Sequence, residues 1–339
     1  MALMDQLRDR ARAARMRVAF PEGDNETMMR AAVEVATEGI AQSVLVGDAS
    51  HLRELAGERG ISLDGVELAD ICDDEANAVL AERYLATPDC PFKAKGVARR
   101  LGRPMEHAFI LQALGDVDIT FAGIDCSTGD VILAGQTIIG LADGIDVVSS
   151  VGIFDIPGYE GSEGALLGFG DSAVCADPDA GQLASIAISA CDTVSALTGW
   201  EPRCALLSYS TCGSAASSLV DKVTDARDIA NDRRPDLKID GEFQLDSAIN
   251  PKVAAHKVAR ESEVAGRANI IIWPDINVGN IGVKLVQQFA HANAYGPMLQ
   301  GFKKIVCDCS RSADVPEIVG NVVMSCVRAA ALKGVEAHG

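Results

Sequence analysis

The sequence predicts an α/β protein, and three observations carry that expectation. Short apolar runs alternate along the chain with longer stretches whose apolar residues recur at helical spacing. Hydrophobic residues make up 48% of the chain and aromatics only 4%, so the cores must rest on Ala, Val, Ile and Leu, which suits buried parallel strands covered by helices. At 339 residues the chain is longer than one core comfortably serves, which points to two domains.

The elements follow in order. Met1 to Arg17, rich in Arg and Ala, reads as a short amphipathic helix and lacks the apolar centre of a signal peptide. Arg17 to Pro21 is the first strand. Glu26 to Gly39 places Met29, Ala32, Val33 and Ala36 at helical spacing and stops at a glycine suited to a helix end. Ser43 to Val46 and Val117 to Ala122 are further strands, and this rhythm predicts a parallel sheet with right-handed crossovers. The middle differs. Asp146 to Ile156 and Leu166 to Val174 are extended runs around the turn-rich stretch from Pro157 to Gly164, which predicts an antiparallel hairpin. Asp179 to Leu197 is an Ala-rich helix. Cys204 to Tyr209, Asn269 to Trp273 and Ile305 to Cys307 are buried strands. The last helix starts at Pro316 and presents Ile318, Val319, Val322, Val323, Cys326, Val327 and Ala330 on one side.

Charge and cysteine usage narrow the function. With 30 basic and 48 acidic residues the formal net charge is −18, which argues against nucleic acid and anionic membranes as partners. No apolar run reaches the roughly 18 residues that span a bilayer, so a cytoplasmic protein is expected. The ten cysteines show no zinc-like spacing, so free thiols and no metal are expected. An anionic substrate would need a locally positive or amide-lined pocket.

Ligands in open α/β sheets bind where strands run into helix N-termini. Three such loops mix hydroxyls or amides with glycine: Asp125 to Asp130, Ser208 to Ser214, and Pro274 to Asn280 ahead of the helix bearing Lys284. Their backbone amides suit a phosphate or an oxyanion, although the same residue types serve as plain helix caps. A fourth segment, Cys307-Asp308-Cys309-Ser310-Arg311-Ser312, follows the last strand.

At these segments the chain resembles, as a divergent member, the phosphate acetyl/butyryltransferase family. Asp275-Ile276-Asn277-Val278-Gly279-Asn280-Ile281-Gly282-Val283-Lys284 is similar to its signature, with Asp240 to Asp246 and Val264 to Asn269 matching upstream and Gly296-Pro297, Gln300-Gly301 and Asp308 to Arg311 downstream. Cys175 to Asp179 and Glu201 to Ser214 fit as well.

The resemblance implies two α/β domains with mainly parallel sheets and an active-site cleft between them. The first domain would be discontinuous, 1–145 plus 295–339, with 146–294 forming the second. A homodimer is implied, as is direct acyl transfer between coenzyme A, a substrate rather than a bound cofactor, and phosphate. Ser310 and Arg311 fall on the family's catalytic pair: the arginine would grip phosphate oxygens and the serine would stabilise the reacting carbonyl oxygen. Glu317 falls on the acidic base, where aspartate is usual. Ser127, Thr128, Ser210, Asn277, Asn280 and Lys284 would bind substrate.

The departures share a sign. Phe92, Leu133, Cys212 and Gln288 stand where the family has cations. A basic run, Arg99, Arg100 and Arg103, lies near the first of them and either compensates or is a solvated helix face. Two readings follow: a phosphate acyltransferase, or a diverged homologue that binds a CoA-like ligand or partner without that turnover or takes a longer acyl-CoA such as propanoyl or butanoyl.

Overall fold

The computed structural model describes residues 3–88 and 90–335. The chain forms two compact units, one running to Gly140 and resuming at Phe302, the other Leu141–Gly301.

The first unit opens with α1 (Leu3–Ala14), then β1 (Arg17–Phe20), α2 (Glu26–Thr37), β2 (Gln42–Gly47), α3 (Ala49–Glu58), β3 (Glu67–Asp70) and α4 (Asp74–Leu85). Next come α5 (Ala94–Leu101), α6 (Pro104–Leu114), β4 (Ile119–Ala122) and α7 (Thr128–Ile138). The second unit comprises β5 (Ser149–Asp155), β6 (Leu166–Gly170), α8 (Ala180–Thr198), β7 (Arg203–Leu207), α9 (Ser218–Arg233), β8 (Lys238–Phe243), α10 (Leu245–Ile249), α11 (Pro251–Lys257), β9 (Ile270–Ile272), α12 (Ile276–Ala290) and β10 (Asn293–Gln300). The chain then returns to the first unit through β11 (Ile305–Asp308) and α13 (Val315–Leu332).

The first unit's sheet, β11-β4-β1-β2-β3, is parallel throughout. Register sets Asp308 beside Ala122. The loops leaving β1, β4 and β11 therefore share the carboxyl edge of the sheet, where α/β proteins bind ligands. The short β3 escaped the sequence reading because it sits at the sheet edge with no fully buried residue, so its apolar signal is weak.

The second unit's sheet, β10-β5-β6-β9-β7-β8, contains the expected hairpin: β5 and β6 are antiparallel, with Asp155 opposite Leu166. Strands β6, β9, β7 and β8 run parallel. The expected division at 294/295 is displaced, because β10 pairs antiparallel with β5 and so belongs to the second unit. Pro297 hid this strand. It is tolerated because β10 is an edge strand with a register shift between Tyr295 and Met298. The scarce aromatics gather here: the Phe169 ring lies 4.8 Å from Phe154 and 5.3 Å from Trp273.

Helices α8 and α13 are long and apolar enough to cross a bilayer by length and composition, contrary to the run-length reading, yet 67% of each apolar stretch is buried in the protein. They are the core helices that cover the sheets.

Candidate active site

At the carboxyl edge of the first sheet, Glu22 is the organising residue. It is 8% exposed, and its carboxylate accepts the backbone N–H groups of Ile124 (3.0 Å), Asp125 (3.0 Å) and Cys126 (2.7 Å). The amides of the first candidate loop are thus occupied from within the protein. Ser127 caps α7 and forms a reciprocal capping box with Asp130. Thr128 donates its hydroxyl to Asp308 Oδ2 at 2.6 Å, tying the start of α7 to the end of β11. The other oxygen, Asp308 Oδ1, is buried without a hydrogen-bond partner among the described residues. Burial, and then the nearby Glu22, push the Asp308 carboxyl up. Gly123 makes this fit possible: its φ is +107°, and a Cβ there would lie 1.9 Å from Asp308 Oδ1.

The segment after β11 is built differently. Ser310 shares a hydrogen bond with the Ser312 hydroxyl at 2.9 Å, and both are exposed. Arg311 is exposed and forms no ion pair or hydrogen bond among the described residues. Asp314 caps α13 by accepting from the Glu317 amide at 2.9 Å. Partial burial, and then the Asp314 charge, raise the Glu317 carboxyl above its ordinary range, the direction a general base working near neutral pH requires.

The second unit repeats the first pattern twice. Asp171, 3% exposed, accepts from the amides of Ala173 (3.0 Å), Val174 (3.2 Å) and Cys175 (2.8 Å) and from the Ser150 hydroxyl. Glu242, 2% exposed, accepts from Ser210 Oγ and the Gly213 amide, both at 2.8 Å. At the start of α12, Asp275 accepts from the amides of Asn277 (2.9 Å) and Val278 (3.2 Å). Asn280 donates to the Ser172 carbonyl at 3.3 Å. The helix comes this close because residue 279 is glycine, where a Cβ would lie 2.4 Å from the Asp171 carbonyl. Asn277 and Lys284 are exposed, and Lys284 has no partner among the described residues.

Comparison with known proteins now decides the family. The family model described as "Phosphate acetyl/butaryl transferase" matches residues 2–326. The chain belongs to that family. It is 39% identical to a phosphate acetyltransferase of Clostridium acetobutylicum over 97% of this chain and 99% of that protein. It is 36% identical to one of Acetivibrio thermocellus over 98% of this chain and the whole of that protein. Among solved structures it is similar to the EutD phosphotransacetylase of Staphylococcus aureus, with a TM-score of 0.87 and 28% identity, covering 96% of this chain and 98% of that one.

Placed in the structure, the residues singled out from the family's motifs separate into two kinds. Ser310, Arg311, Glu317, Asn277 and Lys284 are exposed. Ser127, Thr128 and Ser210 have hydroxyls engaged by acids of the protein, Asp130, Asp308 and Glu242, and of the three only Ser210 is buried, at 0% exposed. In each of the three polar loops, expected to be open to an anion, amides are held by an acid of the protein itself, Glu22, Glu242 or Asp275, and Asp171 does the same for amides 173–175. Sequence reasoning missed these acids. The available signal was an acidic residue at or just beyond the end of a buried strand, as in Phe20-Pro21-Glu22 and Phe169-Gly170-Asp171.

The thiols near these loops are pushed away from the thiolate form. Burial, and then Glu22, push Cys126 up to about 12. Burial likewise raises Cys309, Cys175 and Cys212. Elsewhere in the first unit, Asp48, Asp70 and Cys72 bring potential metal-ligand atoms within 4.8 Å of one another, a trio that linear spacing did not reveal. Both aspartates already accept backbone amides there.

At the positions where the family's cations are replaced, the surroundings differ. Leu133 and Gln288 are exposed, Leu133 at 64%. Cys212 is half-buried near Arg260, whose guanidinium is committed to Asp240 at 2.6 and 2.8 Å and to the Gly241 carbonyl at 3.0 Å. Phe92 carries the Arg100 guanidinium over its ring, 3.6 Å from the centroid.

Proposed function

We propose that this protein moves a short acyl group between coenzyme A and phosphate: acetyl-CoA and phosphate give acetyl phosphate and CoA. The observation that carries the reading is Arg311, an exposed guanidinium beside Ser310 with no partner among the described residues, at the carboxyl edge of a parallel sheet, in a chain of this family. Its planar fork binds two phosphate oxygens at once, which a lysine cannot do. A phosphate oxygen then attacks the thioester carbon, the C–S bond breaks, and CoA leaves as its thiolate. The Ser310 hydroxyl donates to the carbonyl oxygen as charge develops there. In the reverse direction Glu317 takes the CoA thiol proton. The protonated state of the nearby thiols supports direct attack over a cysteine-bound acyl intermediate.

Asn277, Asn280 and Lys284, at the start of α12, hold substrate in this reading. Ser127, Thr128 and Ser210 act on it only through the loops they brace. The exposed apolar side chain of Leu133, where the family has a cation, favours acceptance of propanoyl or butanoyl groups as well.

A homodimer is proposed on the strip Val278, Ile281, Leu285 and Phe289, which is 43, 59, 49 and 81% exposed along one face of α12. Light scattering of wild type and Phe289→Asp tests this: a dimer that the variant splits is expected, and a monomeric wild type contradicts it. A cytoplasmic setting is supported by the free state of all ten cysteines. The activity is tested by CoA release from acetyl-, propanoyl- and butanoyl-CoA with and without phosphate or arsenate. Phosphate-dependent release is expected; no turnover of any of the three contradicts the proposal.

A further inference from the structure

Segment 93–100 is unusual in a chain with 48 acidic and 30 basic residues. Lys93, Lys95, Arg99 and Arg100 lie within eight positions, and none forms an ion pair among the described residues. Their neighbours on either side are neutralised, Arg83 by Asp116 and Arg103 by Glu106. Lys93, Lys95 and Arg99 are exposed, while Arg100 is half-buried with a fixed head group.

Two contacts fix that head. The guanidinium carbon lies 3.6 Å from the Phe92 ring centroid. Arg100 Nη1 donates to the Gly96 carbonyl at 3.1 Å. The Phe92 ring is itself backed by Tyr84, 2% exposed, with ring centroids 6.5 Å apart. A guanidinium stacked on an aromatic face keeps its edge N–H groups for another partner, and stacking removes much of the freedom that binding would otherwise cost. A merely solvated basic helix face needs no such seat.

We propose that Arg100, seated on Phe92, binds a phosphate group at the nucleotide end of the coenzyme A substrate, with Lys93, Lys95 and Arg99 as the surrounding positive field. The guanidinium absent at position 92 is supplied there from α5, so Phe92 is a platform rather than a lost contact. The inference rests on coenzyme A being the substrate. Arg100 acts on binding and not on the reacting atoms.

The test is calorimetric titration of the full-length protein with CoA and with dephospho-CoA, beside steady-state turnover of acetyl-CoA. Arg100→Ala is expected to weaken CoA binding tenfold or more, to leave kcat within twofold, and to leave the KM for inorganic phosphate unchanged. Arg100→Lys keeps the charge and loses the fork and the stack, so an intermediate loss is expected. Phe92→Leu removes only the platform and is expected to weaken CoA severalfold. It also reads the same contact should Arg100→Ala fail to fold. A loss for CoA that shrinks for dephospho-CoA assigns Arg100 to the ribose phosphate; an equal loss for both assigns it to the diphosphate. Arg100→Ala binding CoA within twofold of wild type overturns the inference and leaves the acyltransferase reading intact. A rise in phosphate KM with CoA affinity unchanged also overturns it, placing Arg100 at the inorganic phosphate. A wild type that binds CoA without turning it over sinks the acyltransferase reading, while the binding comparison still decides the role of Arg100.

Discussion

The loop after β4 and the segment after β11 leave neighbouring strands at one sheet edge, and both read in sequence as polar stretches ahead of a helix. They are filled in opposite ways. After β4, the carboxylate of Glu22 takes the amides of 124–126. After β11, a single cap from Asp314 holds the helix start, and Arg311 is left without a partner among the described residues. The second unit sides with the first case twice, through Asp171 and Glu242. Amide-rich strand ends are therefore a structural device in this protein, with the anion supplied by its own acids. In the proposed reading, capacity for an external phosphate rests on side-chain cations, at Arg311 and along α5.

The comparison breaks most sharply at Arg311. Arg311→Lys keeps charge and loses bidentate geometry, so a fall in kcat/KM of about a hundredfold or more, roughly 3 kcal/mol, is expected. A change under threefold would place Arg311 away from the reacting phosphate. Glu317→Gln is expected to lower the rate of acetyl phosphate formation's reverse, CoA acylation, by about a hundredfold. In wild type that rate should climb as pH rises through the raised pKa of Glu317, because only the ionised carboxylate accepts the thiol proton. Asp314→Asn removes the second cause of the shift and should move this acid limb to lower pH, whereas an unmoved limb means another group is titrating.

Glu22→Ala probes the other side of the comparison. It leaves three amides without their acceptor, and a loss of about 2–3 kcal/mol in urea unfolding is expected, the upper range for unsatisfied buried polar groups. Added phosphate or sulfate should not restore it, and recovery by either anion would show that the nest is an external anion site after all. The smallest effect is expected for Leu133→Arg. At an exposed helix position it should leave the melting temperature unchanged and lower the KM for acetyl-CoA a fewfold at low salt, with the gain fading as salt screens it. Phe92→Arg, by contrast, should weaken CoA binding, since it replaces the seat of Arg100 with a like charge.

Much of the fold was legible because its signals are local. The parallel strands β1, β2, β4 and β11 are buried apolar runs, and α13 has a one-sided pattern anchored by Pro316. The strands that escaped, β3, β8 and β10, are interrupted by charge, by Gly241 or by Pro297, and all three lie at sheet edges. The site was legible only in part. Ser310, Arg311 and Glu317 lie within one stretch of eight residues, so a motif finds them. The pairing of Glu22 with amides 102 to 104 positions away, and of Thr128 with Asp308 across 180, is set by strand order and has no sequence spacing to betray it. The Arg100 seat on Phe92 joins residues only eight positions apart, yet it turns on a side-chain stack that the helical pattern of α5 does not spell out.

The most direct test of the account is the initial rate of CoA release from acetyl-CoA, measured in wild type and Arg311→Lys as inorganic phosphate is varied. A rate that saturates with phosphate in wild type, and a variant whose loss falls on that phosphate dependence, is the result this account predicts. A rate indifferent to phosphate, or a variant with the wild-type curve, would contradict it.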